Sequence, residues 1–254
     1  MLKLAKSVLR FALKKRGYDI ALEGTIPLEF PRDFDSAMKK LCRDVSPFTM
    51  QSHERILCLR DSVRHIVRAN IPGDFVECGV WKGGSIMVIA QTLMELGVTD
   101  RNIHLFDTFE GMSEPTAVDR SLDGNIAADL LAKSDRNLSW AWAYGALEEV
   151  RKNVLMTGYP AERIVFVKGK VEDTLPASAP TQIALLRLDT DWYESTYKEL
   201  LHLYPRLSTG GILIIDDYGH WEGARKAVDT YFREQQLNPL LHRIDYTGRI
   251  CVKS

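Results

Sequence analysis

The sequence predicts an α/β fold in which helices alternate with the strands of a mostly parallel sheet. Three observations lead to this prediction. From residue 72 onward, short apolar runs alternate with segments of helical periodicity. Two of these runs are followed directly by acidic pairs, Asp189 with Asp191 and Asp216 with Asp217. Near the end of the chain, two short runs flank a Tyr-Thr-Gly turn at residues 246–248, which is typical of an antiparallel hairpin.

The individual strands and helices follow from local patterns. Short apolar runs are typical of strands that are buried on both faces of a parallel sheet. The predicted strands cover residues 74–80, 102–108, 163–169, 183–190, 211–217, 240–245 and 249–253. Helices are assigned from apolar residues three or four positions apart, as at Ile56, Leu59 and Val63. The predicted helices cover residues 36–43, 52–69, 84–96, 140–156, 195–207 and 222–235.

The chain is predicted to have a helical N-terminal extension, residues 1–70, ahead of a single α/β domain, residues 71–254. Within the extension, residues 1–16 form a basic amphipathic stretch with no acid before Asp19. Two interpretations are open. The stretch is either a helix that packs on the body or on a second subunit, or an interfacial helix that touches an anionic membrane. Its apolar side favours a homo-oligomer.

Composition excludes several classes of protein. Of the 254 residues, 45% are hydrophobic and 26% are charged, which is ordinary for a globular protein, and the net charge of −1 gives no electrostatic case for nucleic-acid binding. The four cysteines form no CxxC pair, so neither a zinc knuckle nor a disulfide framework is predicted. The chain shows neither a membrane-spanning run nor a signal peptide, and a cytoplasmic location is expected.

The acids that follow the fourth and fifth strands predict a metal site. Ligands of open α/β sheets bind outside the carboxyl ends of the strands. If these two strands are neighbours, their backbones lie about 4.8 Å apart, and four carboxylates from Asp189, Asp191, Asp216 and Asp217 converge. Like charges at such distances repel strongly unless protons or a cation neutralise them. A hard divalent cation with oxygen ligands is therefore expected.

The first two strands are predicted to bind a nucleoside-like cofactor. Strand one runs from Glu77 into a glycine-containing turn and the start of a helix, and strand two ends at Asp107, where an acid commonly bonds a ribose hydroxyl. The turn reads GxxxGG rather than the GxGxxG of dinucleotide sites. Glu77 would also face a pyrophosphate unfavourably. A cofactor without phosphate and with a positive centre, S-adenosylmethionine, fits both features.

Several segments, between about residues 72 and 237, together resemble the macrocin O-methyltransferase family. They include DFVECGVWKGGS, HLFDTFEGM, VKGKVEDTLP, DTDWYEST and GGILIIDDYGHWEGARKA. The resemblance implies a Rossmann-like class I methyltransferase fold with a seven-stranded sheet, S-adenosylmethionine as methyl donor and Mg²⁺ as metal. It also implies a hydroxyl of a sugar or of a glycosylated small molecule as acceptor. The first 70 residues match less clearly.

The resemblance assigns roles to residues by position. It implies that Asp189, Asp216 and Asp217 bind the metal and that Asp191 is the general base. The residues that it places along the cofactor, together with neighbours in the same motifs, are Glu77, Gly79, Val80, Gly83, Ser85, Asp107, Thr108, Gly169, Glu172 (or Asp173) and Asp189.

The identity of the base is open at this level. Asp191 lies two residues beyond Asp189, so in a continuing strand the two side chains would share a face, one at the metal and one nearer the acceptor. His220 follows the Asp216–Asp217 pair by a short turn and has a pKa suited to proton transfer near neutral pH. The resemblance favours Asp191, whereas the chemistry favours His220.

Other functions compete with methylation of a sugar. A catechol or another phenol is an alternative acceptor, because vicinal oxygens bind the metal in either case. A cofactor-binding protein without catalysis would have no need of four converging acids, and an NAD-dependent enzyme would need a different glycine turn. The long polar segment at residues 109–139 is predicted to be a mobile lid over the cofactor and acceptor.

Overall fold

The computed structural model describes residues 30–136 and 140–254, without the side chain of Trp140. Over these ranges the chain builds one seven-stranded sheet in the order β3-β2-β1-β4-β5-β7-β6. The first five strands run parallel, and β7 pairs antiparallel with both β5 and β6. The predicted parallel sheet with a C-terminal antiparallel hairpin is confirmed. The basic stretch at residues 1–16 lies outside the described residues.

Helices and strands alternate along the chain as predicted. The strands are β1 (Asp74–Cys78), β2 (Ile103–Asp107), β3 (Ile164–Lys168), β4 (Ile183–Leu188), β5 (Leu207–Ile215), β6 (His242–Arg243) and β7 (Arg249–Val252). The α-helices are α1 (Ser36–Val45), α2 (His53–Arg68), α3 (Gly84–Glu95), α4 (Ala127–Ala132), α5 (Leu147–Leu155), α6 (Val171–Thr174), α7 (Tyr193–Leu203) and α8 (Glu222–Glu234). Short 3₁₀ turns cover Ser46–Phe48, Trp140–Trp142, Ala161–Arg163 and Tyr204–Arg206.

The sheet is central because its middle strands are apolar on both faces. Every residue of β4 is buried. On one face, Val76, Leu186 and Leu213 pack against Leu200 of α7 and against α8. The other face is in contact with α2, which also packs along α3. Because parallel strands need helices on both faces, this layering follows from the alternation read in the sequence.

The predicted helix at residues 195–207 ends at Leu203, and the strand predicted at residues 240–245 covers only His242–Arg243. Two other differences have local reasons. The helix predicted at residues 140–156 begins only at Leu147, because Ala143 is left-handed (φ 42°) and Gly145 passes so close to Trp81 that a Cβ would lie 2.2 Å from its carbonyl oxygen. The strand predicted from residue 211 begins at Leu207. It runs through Gly210, which is left-handed (φ 79°) at a point where the pairing of β4 with β5 shifts register.

Two compact units divide the chain between Lys39 and Lys40. In the second unit, α2 packs on the same sheet as the later helices. The predicted domain boundary at residue 70 stays a prediction. Among the described residues, no helix is both long and apolar enough to cross a membrane.

Candidate active site

A cavity of about 340 Å³ lies at the carboxyl ends of β1, β2, β4 and β5. From β1, the sheet extends through β2 to β3 on one side and through β4 to β5 on the other. The crevice between two such halves is where ligands of open α/β sheets bind. Backbone hydrogen bonds continue just past the strands: Gly79 N donates to Phe106 O, Asp189 N to Cys78 O and Asp216 N to Leu188 O, each at 2.9 Å. The strands therefore end at a common edge.

The turn after β1 approaches β4 closely. Gly79 is left-handed (φ 80°), and a Cβ there would lie 1.9 Å from the carbonyl oxygen of Asp189. Only glycine fits this position. The carboxylate of Asp107, at the end of β2, holds the turn by accepting from the backbone N–H groups of Val80 (2.6 Å) and Trp81 (3.2 Å). It also accepts from Phe109 N at 2.7 Å, so much of its hydrogen-bonding capacity is already used within the protein.

Most of the predicted cofactor residues line this cavity. They are Gly79, Val80, Ser85, Asp107, Thr108, Gly169, Glu172 and Asp189. Glu77 and Gly83 do not line it. Glu77 is 1% exposed beneath the turn, and Gly83 is the N-cap residue of α3. Between Glu172 and Asp173, the structure places Glu172 at the cavity, where it accepts from Ser195 Oγ at 2.7 Å.

Three acids meet at the ends of β4 and β5. Asp189, Asp191 and Asp217 each offer one carboxylate oxygen, and these oxygens all lie within 4.8 Å of one another. Burial, followed by the charges of Asp191 and Asp189, raises the pKa of Asp217, and burial and the Asp189 charge likewise raise the pKa of Asp191. Carboxylates this close repel one another when ionised, so a proton on Asp191 or Asp217 is favoured where no cation replaces it. An all-oxygen donor set of this kind fits a hard divalent cation.

The expectation that Asp191 continues the fourth strand is wrong. β4 ends at Leu188, and Asp191 is left-handed (φ 65°), in a turn that Trp192 N closes by donating to Thr190 O at 2.7 Å. This turn carries the Asp191 carboxylate back toward Asp189 and Asp217. The proximity predicted from the spacing is therefore reached, but through a turn rather than through strand alternation.

Asp216 has different partners from the other acids. Its Oδ1 accepts from Arg187 Nη2 at 2.6 Å, and its Oδ2 accepts from Arg55 Nη1. Burial raises the pKa of Asp216 to about 6, although both guanidinium groups act in the opposite direction. Of the predicted ligands, the structure thus brings Asp189 and Asp217 together. Asp216 lies beside them, with its two oxygens hydrogen-bonded to two arginines.

Arg187, which the sequence analysis did not single out, is the central cation of the site. It is 1% exposed within β4 and donates to Glu77, to Asp189 at 2.7 Å and to Asp216 at 2.6 Å. With its carboxamide oxygen facing Arg187, Gln51 accepts from Nε at 3.1 Å and from Nη2 at 2.5 Å. The sequence carried a signal for Arg187, because an arginine inside an apolar strand needs buried acids as partners. In the structure, Glu77 of β1 is paired in register with Arg187 of β4.

His220 is placed at the rim of the cavity. Its Nδ1 lies 2.9 Å from the hydroxyl of Tyr246, on the turn between β6 and β7. Burial lowers the pKa of His220, so the ring is neutral near pH 7. Its neighbour Trp221 is a core residue that meets Trp192 edge-to-face at 5.0 Å. His220 therefore keeps the geometry of an alternative base.

The described part of the predicted lid is anchored to the site. The fully buried Asp119 accepts from Tyr193 N, at the start of α7, at 2.8 Å, and from Thr116 N at 2.7 Å. Trp192 Nε1 donates to Ser113 O at 3.0 Å, and Leu122 N donates to His220 O at 2.9 Å. This segment is thereby linked to both acid-bearing turns. That it moves when ligands bind stays a prediction.

Glu199 is a second buried acid that the sequence analysis missed. It is fully buried in α7, and its Oε1 accepts from Thr190 Oγ1 at 2.9 Å. Burial raises the pKa of Glu199 well above its ordinary value, although the Thr190 hydrogen bond acts in the opposite direction. The folded protein therefore keeps this proton at a pH where the unfolded chain has lost it. Through this group, stability falls as pH rises from about 4.5 toward the folded-state pKa.

We expect Glu199→Gln to remove this pH dependence, because the amide cannot ionise and keeps the acceptor for Thr190. The variant should be more stable than the wild type at pH 8, and the difference should shrink toward pH 5. Urea unfolding of both proteins at the two pH values measures the effect. An equal difference in the free energy of unfolding at both values would show that Glu199 is ionised in the folded protein.

The sheet order, the glycine turn and the acidic strand ends together define a class I methyltransferase fold. Residues 23–253 match the model of the family described as Macrocin-O-methyltransferase (TylF). The chain belongs to this family and is an O-methyltransferase. The fold, family and reaction class expected from the sequence are confirmed.

Similar proteins agree with this assignment. A demethyldecarbamoylnovobiocin O-methyltransferase from Streptomyces niveus is 35% identical over 200 residues, which cover 79% of this chain and 73% of that protein. A 4'-O-methyltransferase from Streptomyces olivaceus, named for a dimethoxy-rhamnosyl-tetracenomycin C substrate, is 36% identical over 79% of this chain and 73% of its own length. The solved structure of the O-methyltransferase NovP shares 33% identity and a TM-score of 0.71, with 82% of each chain covered.

Proposed function

We propose that the protein transfers a methyl group from S-adenosylmethionine to a hydroxyl of a sugar or glycosylated small molecule, with Mg²⁺ bound at the acidic strand ends. One observation carries the proposal: the oxygens of Asp189, Asp191 and Asp217 lie within 4.8 Å of one another beside the glycine turn. The relatives support the acceptor, because their names describe novobiocin, rhamnosyl and mycinamicin O-methyltransferases.

Charge supports a divalent cation at this site. Asp189, Asp191 and Asp217 bring three carboxylates together, and Asp216 lies beside them. The guanidinium groups of Arg187 and Arg55 also pair with further acids, Glu77 and Asp245 respectively. Carboxylates therefore outnumber guanidinium groups here, and a divalent cation would offset part of the excess. In its absence, a proton held by Asp191 or Asp217 offsets part of it.

The residues around the site have separate tasks in this proposal. S-adenosylmethionine, when bound, supplies an electrophilic methyl group on a positively charged sulfur. Asp189, Asp216 and Asp217 would hold Mg²⁺, which would supply positive charge to stabilise the acceptor oxygen as its proton leaves. Asp191 accepts the hydroxyl proton, since its carboxylate is partly exposed at the cavity beside Asp189 and Asp217. Arg187 holds Asp189 and Asp216 in place, and Gly79 lets the turn after β1 pass close to Asp189 at the end of β4.

The test is methyl transfer by the purified full chain with S-adenosylmethionine, Mg²⁺ and two acceptor panels, glycosides with vicinal hydroxyls and catechols. We expect S-adenosylhomocysteine to form with glycosides only, and to stop when EDTA removes the metal. Transfer to catechols alone would show that the acceptor is a phenol rather than a sugar hydroxyl. Tight cofactor binding without transfer to either panel would favour a protein that has lost catalysis.

Asp216→Asn tests the metal assignment. Removing a charged ligand should weaken binding by more than the roughly 10–100-fold typical for a residue that merely orients a ligand. High Mg²⁺ should then partly restore turnover. Calorimetric titration of the variant and of Asp191→Asn with Mg²⁺ distinguishes the two acids. If Asp191→Asn loses the metal and Asp216→Asn keeps it, the third ligand is Asp191. Asp216 then only pairs with Arg187 and Arg55.

The assembly and location of the protein are proposed from its sequence. The apolar side of residues 1–16 supports a homo-oligomer, and their basic residues support contact with an anionic membrane. The net charge of −1 argues against a nucleic-acid partner. A cytoplasmic location remains the expectation from the sequence.

A further inference from the structure

Arg55 joins a predicted metal ligand to the turn of the C-terminal hairpin. It extends from α2 to the cavity wall, where Nη1 donates to Asp216 Oδ2. Its Nε lies 3.0 Å from Asp245 Oδ2, and its Nη2 donates to the carbonyl of Met50 at 3.2 Å. The Arg55 side chain is 15% exposed, whereas that of Arg187 is 1% exposed.

Both oxygens of Asp216 are engaged by guanidinium groups. A divalent cation on the same carboxylate would stand next to these positive charges and be repelled by them. Arg187 cannot leave, because it is buried and its departure would strand Glu77 and Asp189 as well as Asp216. Arg55 can leave, because its side chain is partly exposed at the cavity and each of its two acidic partners has another donor. Asp216 keeps Arg187, and Asp245 keeps Ser52.

We propose that Arg55 is an internal competitor of the metal: it neutralises Asp216 in the metal-free protein and is displaced when Asp216 binds the divalent cation. The inference rests on the proposed function, in which Asp216 is a metal ligand. The hairpin turn survives the exchange, because Asp245 also accepts from Ser52 Oγ (2.7 Å), Thr247 N (2.9 Å) and Gly248 N (2.8 Å). Displacement therefore breaks the bridge between α2 and Asp216 without unfolding the turn.

The experiment is a double-mutant cycle read by metal binding rather than by activity. Mn²⁺ shares the preference of Mg²⁺ for oxygen ligands, and its free concentration is measured by electron paramagnetic resonance. The full-length variants are Arg55→Gln, Asp216→Asn and the double variant. Arg64→Gln is the matched control, since Arg64 lies on the same helix but pairs with Glu95 at 3.0 Å. Thermal unfolding with and without Mn²⁺ provides a second readout on the same samples.

We expect Arg55→Gln to bind Mn²⁺ about tenfold more tightly than the wild type, or about 1.4 kcal/mol. It should also be less stable than the wild type without Mn²⁺ and gain more stability from it. In the Asp216→Asn background, the same change should alter Mn²⁺ affinity less than about twofold. Arg64→Gln should change neither quantity.

Three outcomes would overturn the inference. If Arg55→Gln leaves Mn²⁺ affinity unchanged while the wild type binds the ion, Arg55 does not compete, and the proposed function stands without it. If Arg55→Gln tightens binding equally with and without Asp216, the effect is long-range repulsion rather than displacement. If neither the wild type nor Arg55→Gln binds Mn²⁺, both the inference and the metal part of the proposed function fail. Binding by Arg55→Gln alone would support the inference.

Discussion

Asp191→Asn is expected to slow methyl transfer by about 10²–10⁴-fold, the range typical for loss of a general base. The asparagine keeps the size of the side chain but cannot take a proton from the acceptor hydroxyl. Binding of S-adenosylmethionine and Mg²⁺ should change little, because Asp189 and Asp217 retain their oxygens at the site. The loss should therefore appear in kcat and not in the affinity for either ligand.

Single-turnover kinetics with saturating cofactor and metal measures this effect directly. His220→Gln is the matched comparison, because His220 lies at the same rim and is the alternative base. We expect His220→Gln to have the smaller effect on turnover. A large loss in His220→Gln together with near-normal turnover in Asp191→Asn would assign the base to His220. If Asp191→Asn acts only by weakening the metal, Asp191 is a ligand.

Arg187→Met is expected to destabilise the fold by about 3–5 kcal/mol, because breaking a buried ion network leaves its acids without a partner. Glu77 is 1% exposed and loses its guanidinium, while Asp216 keeps only Arg55. Arg187→Lys should cost less than Arg187→Met, since it keeps the charge. It should still be destabilising, because an ammonium cannot reproduce the fork that reaches Glu77, Asp189 and Asp216 together.

Urea unfolding of the purified variants at pH 7 measures this loss. Arg64→Met is the control, because the pair of Arg64 with Glu95 is partly exposed and should contribute at most about 1 kcal/mol. A loss for Arg187→Met no larger than that of the control would mean that the buried acids are protonated rather than ionised. In that case Arg187 would not be the cation that organises the site.

The part of the site that sequence reasoning located depends on strand order. The apolar runs before Asp189 and Asp216 form neighbouring strands, and register places Leu188 beside Ile215, so the residues that follow them meet. The same logic placed Gly79 and Asp107 at the cavity. Periodicity and strand ends predict such positions because parallel strands finish at a common edge.

The part that was missed depends on contacts between residues distant in sequence. Arg55 reaches Asp216 from 161 positions away, and Asp119 holds Tyr193 from 74 positions away. Neither has a local pattern that marks its partner. The turn that brings Asp191 back to Asp217 needs a left-handed residue, which the strand-like run before it does not indicate. Arg187 was the exception, since a charge inside an apolar strand implies buried partners.

We expect one divalent cation between the ends of β4 and β5, beside the glycine turn that follows β1. Anomalous diffraction from crystals grown with Mn²⁺ and S-adenosylhomocysteine would locate it. A single strong peak should lie within coordination distance of Asp189 and Asp217, with Asp216 turned toward it and Arg55 withdrawn. A peak that Asp189 and Asp217 do not contact, or cofactor bound away from Gly79 with no ion at these acids, would contradict it.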